Sequence, residues 1–81
     1  MNGDVLDWAR ESMNAISYDE PVFQQIIDDE IIDAAAMWAL GVLDDRGALG
    51  QEDLARARAF LQDGQFGRFD ESAREVLDKY N

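Results

Sequence analysis

The fold class that the sequence predicts is all-α, as a small four-helix bundle-like domain with a long central second helix. Three observations carry that reading. Apolar residues recur at helical spacing through most of the chain, whereas period-two alternation and β-branched runs are missing and threonine does not occur at all. The interruptions hold residues that start or stop helices, Pro21 at one start and Gly47, Gly50, Gly64 and Gly67 in the later connections. With 81 residues, a second core would leave each half too small to bury enough surface, so residues 1–81 read as a single helical domain. A chain of this size buries only about 60% of what its unfolded form exposes, which keeps oligomerisation open.

The first helix is expected over about 4–17. Asp4 suits its N-cap, and Val5, Leu6, Trp8, Ala9, Met13 and Ile16 fall at roughly helical spacing. Ser17-Tyr18-Asp19-Glu20 breaks the pattern. Pro21 fits a first helical position, where its missing N–H costs nothing, and the acids before it complement the positive end of the helix dipole. From there the pattern runs without a breaker, predicting a second helix over 21–43. At about 100° per residue, Phe23, Ile27, Ile31, Ala34, Trp38 and Val42 share one broad face, with Val22, Ile26, Met37 and Leu40 in a strip beside it. An element apolar on most sides is the centre of a bundle or an oligomer interface.

After a turn-rich link at 43–51, a third helix is expected over about 51–62, with Leu54, Ala57, Phe60 and Leu61 as its stripe. In the loop that follows, Phe66 and Phe69 read as plugs that seal the bundle end. A last helix, 70–79, has Asp70 as its cap and turns Ala73, Val76, Leu77 and Tyr80 inward. The expected core is Leu6, Trp8, Met13, Ile16, Phe23, Ile27, Ile31, Trp38, Leu54, Phe60, Val76 and Leu77.

Composition narrows the function. Eighteen acidic residues against seven basic ones give a formal net charge of -11, with no histidine and no cysteine. Direct nucleic-acid binding is excluded on charge, and a disulfide framework or thiolate zinc site on the absence of cysteine. The commonest general base and metal ligand are missing with histidine. No catalytic residue, cofactor or metal is therefore assigned, and the chain reads as a non-enzyme. The longest apolar run, Ala34 to Leu43, is well short of the roughly 20 residues of a membrane span. The first residues lack a positive stretch followed by an apolar one, so neither signal peptide nor anchor is expected. A cytoplasmic location follows, the host cytoplasm if the protein is phage-encoded.

The acid is unevenly placed. From Glu11 to Asp45 there is no Lys or Arg, yet nine of the eleven net negative charges lie there. On one continuous helix Asp29 and Asp33 would stand a turn apart, a like-charge pair costing roughly 0.2–0.5 kcal/mol. The candidate partner-binding residues are accordingly Asp28, Asp29, Asp33, Asp44 and Asp45, with Glu30, whose angle lies near the apolar face. Solvation, or adaptation to a salty cytoplasm, is the competing account of the same charge.

Val42 to Asp53 resembles the EF-hand loop when Gly47 takes its glycine slot, but Val42 then occupies the first ligand position and Arg46 the fifth, which removes the calcium chemistry. Glu30-x-x-Asp33 and Glu75-x-x-Asp78 resemble the paired acids of helical nucleotide pyrophosphatases related to MazG, which would imply a magnesium site. The separation between the pairs is longer than in that family, and no cationic cluster awaits a phosphate. Acyl-carrier domains share the size and acidity, but Ser12, Ser17 and Ser72 all lack the attachment context. In size, charge and helicity the chain is similar to anti-CRISPR, anti-restriction and bacteriocin-immunity inhibitors, a likeness of class alone. The expected function is thus a non-enzymatic acidic protein-binding module that covers a basic nucleic-acid-binding surface of a nuclease or defence complex. Its partner would be a protein, with no direct nucleic acid and no membrane. A self-associating structural or adaptor subunit, with a homodimer through Val22, Ile26, Met37 and Leu40, is the alternative; a magnesium-dependent pyrophosphatase comes third.

Overall fold

The computed structural model describes residues 2–80, with side chains described for 4–80. Among them are five α-helices, α1 (Asn2–Ala15), α2 (Pro21–Asp28), α3 (Ile32–Asp45), α4 (Gln51–Gln62) and α5 (Asp70–Asp78), with a single 3-10 turn at Gly67–Phe69 leading into α5. The all-helical class stands. The long second helix expected over 21–43 does not: it is two helices, α2 and α3, and the four expected elements become five. Asp4 also lies inside the first turn of α1 and not at its cap, and Asp70 is likewise the first residue of α5, whose cap is Phe69.

A specific hydrogen-bonded ending breaks the helix. Glu30 takes a left-handed φ of 56°. Its N–H donates to the Ile27 carbonyl at 3.0 Å, while the Ile31 N–H reaches back to the Ile26 carbonyl at 3.1 Å. That double closure is the Schellman ending, and every helix from α1 to α4 uses it. Ser17 (φ 56°) closes α1, Gly47 (φ 64°) closes α3 and Gly64 (φ 76°) closes α4, each followed by the same return bond. Gly47 and Gly64 announce their stops, because glycine has no Cβ to clash in this region. Glu30 conceals one. The break also removes the Asp29–Asp33 ridge and puts Asp33 in the first turn of α3, where the helix dipole favours negative charge. Its Oδ1 accepts the Ala34 N–H at 2.8 Å.

α3 is the hub, packing against α1, α2, α5 and the 3-10 turn. It can do so because Ala35, Ala36 and Ala39 are completely buried beside Leu40 and Leu43, and small side chains let helices approach closely. The half of the expected helix that is apolar all round is therefore the centre of the fold. Around it are buried Val5, Leu6, Trp8, Ala9 and Met13 from α1, Phe23 and Ile27 from α2, Ala57 from α4, and Ala73 and Leu77 from α5. Ile16, Trp38, Leu54, Phe60 and Val76 are half-buried against this cluster. Ile31 is the error in the expected core: it follows the break and is 37% exposed. Phe66 is fully buried, as a plug should be, while Phe69 is half-buried.

Polar groups tie the helices where burial alone would not fix their register. Trp38 Nε1–H donates to the Tyr18 hydroxyl at 2.8 Å, and Phe23 lies between the two rings at 5.7 and 6.1 Å. Trp8 Nε1–H donates to Asp53 Oδ1 at 3.1 Å, joining α1 to α4. The other Asp53 oxygen accepts the Gly50 N–H at 3.3 Å, which satisfies one donor at the start of α4. Among the described residues no buried side-chain nitrogen or oxygen lacks a partner.

Candidate functional site

The six acids expected to face a partner lie at the two ends of the α2–α3 hairpin. Asp28 ends α2 and Asp29 and Glu30 follow it, all exposed, and Gln25 Nε2 donates to Asp29 at 3.0 Å. Asp45 is exposed at the end of α3. None of these four makes an ion pair among the described residues. Asp19 and Glu20, before α2, are likewise without one.

Asp33 and Asp44 are held from within. Arg68 Nε donates to Asp33 Oδ2 at 3.1 Å, drawing the 3-10 turn onto the start of α3. Gly67 makes the approach possible: with φ 50°, a Cβ there would stand 3.0 Å from Asp33 Cβ. At the other end of α3, Asp44 accepts Lys79 Nζ and the Tyr80 hydroxyl, both at 2.6 Å, leaving its side chain 15% exposed. The Lys79 hydrogen bond first, and that of Tyr80 second, hold the Asp44 carboxyl below its ordinary 3.8. The same contacts push Lys79 and Tyr80 above their ordinary values. Arg46, next in sequence, is also engaged, donating to the Ile16 carbonyl at 3.4 Å and stacking 5.2 Å over the Tyr18 ring.

These contacts bear on the metal resemblances. In the EF-hand-like loop, Asp44, Arg46 and Asp53 are all bonded to groups of the fold. Of the two acid pairs, Asp33 is paired with Arg68, and Glu30, Glu75 and Asp78 are exposed. Among the described residues no group of three or more carboxylates is placed to hold a metal ion.

The concave surface of the molecule lies elsewhere. α4 packs on α5 and α1 on α3, and two open hollows of about 470 and 410 Å³ lie between α1 and α4. Trp8, Ile16, Leu43 and Ala48 line the first, with Glu11, Glu52 and Asp53 among its polar groups. Asp4, Asp7 and Phe60 line the second, and Glu11 and Arg56 belong to both. Sequence reasoning missed this trough because no continuous stretch marks it; the Trp8–Asp53 bond and the Trp8–Phe60 ring contact at 5.6 Å bring its two walls together.

No helix of the described residues is long and apolar enough to cross a membrane. No family model, curated protein or solved structure matches the chain.

Proposed function

We propose that the protein is a non-enzymatic acidic binding module that covers a basic, nucleic-acid-binding surface on another protein, acting as an inhibitor of a nuclease or defence complex. The observation that carries this reading is the set of exposed carboxylates around α2 that make no ion pair among the described residues: Asp28, Asp29 and Glu30 at one end, Asp45 with Asp19 and the half-buried Glu20 toward the other. A basic groove built for phosphates meets carboxylates there instead, and charge complementarity speeds encounter and sets register. Asp33 and Asp44 belong to the same surface as its fixed inner edge, already oriented by Arg68 and Lys79.

The test is capture of a partner from lysate of the source organism, followed by affinity measurement on that isolated partner. Asp28→Asn/Asp29→Asn protein should bind at least about tenfold more weakly at low salt, with the gap narrowing as salt screens it. Unaltered affinity at low salt rejects the reading. Self-association is the second reading, favoured by Val22 at 57% exposure. Against it, Leu40 of the expected strip is completely buried. Sedimentation showing a monomer at every concentration removes it.

A further inference from the structure

We propose that the trough between α1 and α4 is a docking surface for a cationic amphipathic segment of a partner protein. Its apolar side chains would enter the hollows at Ile16, Ala48 and Phe60, and its Lys or Arg side chains would meet Glu11 and Glu52. No residue of α2 lines the trough, so this surface goes beyond the acids around α2 and stands or falls separately.

The shape comes first. The two hollows share Glu11 and Arg56 and so adjoin there. From Asp4 to Ile16 their lining extends about 18 Å along the direction of α1 at the rise of an α-helix, the length of about three turns of a partner helix. Half-buried Ile16 and Ala48 give the first hollow an apolar lining beside the buried Trp8 and Leu43, and half-buried Phe60 does so in the second; covering such side chains is what holds an amphipathic helix in a groove.

Charge then selects the occupant. Titratable groups from both walls face the trough: Asp4, Asp7 and Glu11 from α1, and Glu52, Asp53 and Arg56 from α4. Asp7 is 3.7 Å from Arg10, and Asp53 is taken by Trp8 and Gly50. Glu11 and Glu52 are exposed and make no ion pair among the described residues. These two exposed carboxylates favour a cation. A second copy of this chain is the wrong occupant, since it would bring another net charge of -11 against the same walls. Arg56 lies within the trough as the one opposing charge, which gives the proposal a signature: removing it should tighten the binding of a cationic segment.

The experiment is a two-dimensional NMR titration of the isotope-labelled full chain with a 14-residue amphipathic Lys/Leu peptide, with hexalysine and a Glu/Leu peptide of the same pattern as controls. The expected result is saturable one-to-one binding of the Lys/Leu peptide, with the Trp8 indole and the α1 and α4 residues of the trough shifting. Glu11→Gln/Glu52→Gln should weaken it about tenfold and Arg56→Gln tighten it about threefold, while Asp28→Asn/Asp29→Asn stays within about twofold. All these substitutions are at exposed side chains, and the spectra report whether each variant is folded. Hexalysine binding as tightly as the Lys/Leu peptide, shifts that map to α2, or an unchanged affinity in the Glu11/Glu52 variant would each overturn the proposal. None of those results touches the reading of the α2 acids, which is measured on the captured partner.

Discussion

Glu30 shows how one residue sets the course of the chain. A left-handed residue bearing a Cβ costs roughly 1–2 kcal/mol relative to its ordinary conformation, and the fold accepts that at Glu30 and again at Ser17, both at φ 56°. Glycine removes the clash but adds freedom to the unfolded chain, worth roughly 0.5–1 kcal/mol. Glu30→Gly and Ser17→Gly should therefore each stabilise the protein by about 0.5–1 kcal/mol, read as a higher denaturation midpoint with an unchanged slope. If α2 and α3 were instead one helix in solution, Glu30→Gly would destabilise it. Asp44 gives the second residue-scale prediction. Its carboxyl is held below the ordinary 3.8, so its contribution is present above that value and is lost as pH falls through the depressed folded value. Lys79 and Tyr80 are raised above 10.5 and 10.0, so theirs is present below those values and is lost as pH rises through the folded ones. Asp44→Asn should melt below the wild type at neutral pH, with the gap closing at both extremes. A gap that stays constant from acid to alkali would mean that the Asp44 contacts do not form in solution.

The 3-10 turn is the element whose placement depends most on a single close approach. Gly67 combines φ 50° with a would-be Cβ at 3.0 Å from Asp33 Cβ, so Gly67→Ala should cost about 1–2 kcal/mol from the left-handed backbone alone, with a further loss as the Arg68–Asp33 contact opens. Denaturant unfolding of Gly67→Ala, compared with Arg68→Ala, separates the two contributions. The elements also divide by how far they were legible in the sequence. α4, α5 and the start of α2 could be read, because Gly50, Asp70 and Pro21 mark boundaries by local chemistry. The α2–α3 break could not, since Glu30 stops the helix only when backbone hydrogen bonds choose the left-handed conformation for it. Ile31 is exposed for the same reason: the helical face it would share does not continue through it. Of the candidate surface, the exposed acids could be found from charge placement. The internal partners of Asp33 and Asp44 lie 35 residues or more away, and no local pattern reports them.

For the whole molecule the governing quantity is a net charge of -11 on a compact body with a radius of gyration of 11.3 Å and extents of 32 × 24 × 18 Å. Ion pairs relieve little of it, because those present are partly solvated and such contacts are worth about 0–1 kcal/mol each. The folded state therefore carries a self-repulsion that the expanded unfolded chain relaxes. Raising the ionic strength shortens the screening length from about 30 Å at 0.01 M to about 10 Å at 0.1 M, from roughly the span of the molecule to well within it. Stability should accordingly rise over that range, with sodium chloride and potassium chloride acting alike, whereas affinity for a basic partner should fall. The opposed slopes separate a working surface from charge kept only for solubility. A protein whose acid serves solvation alone gains stability with salt but has no partner affinity to lose. One whose acid replaces phosphates in a basic groove shows both trends, and the loss of affinity should shrink in Asp28→Asn/Asp29→Asn protein while the gain in stability remains. Thermal melts and partner titrations across one salt series measure the two slopes on the same samples.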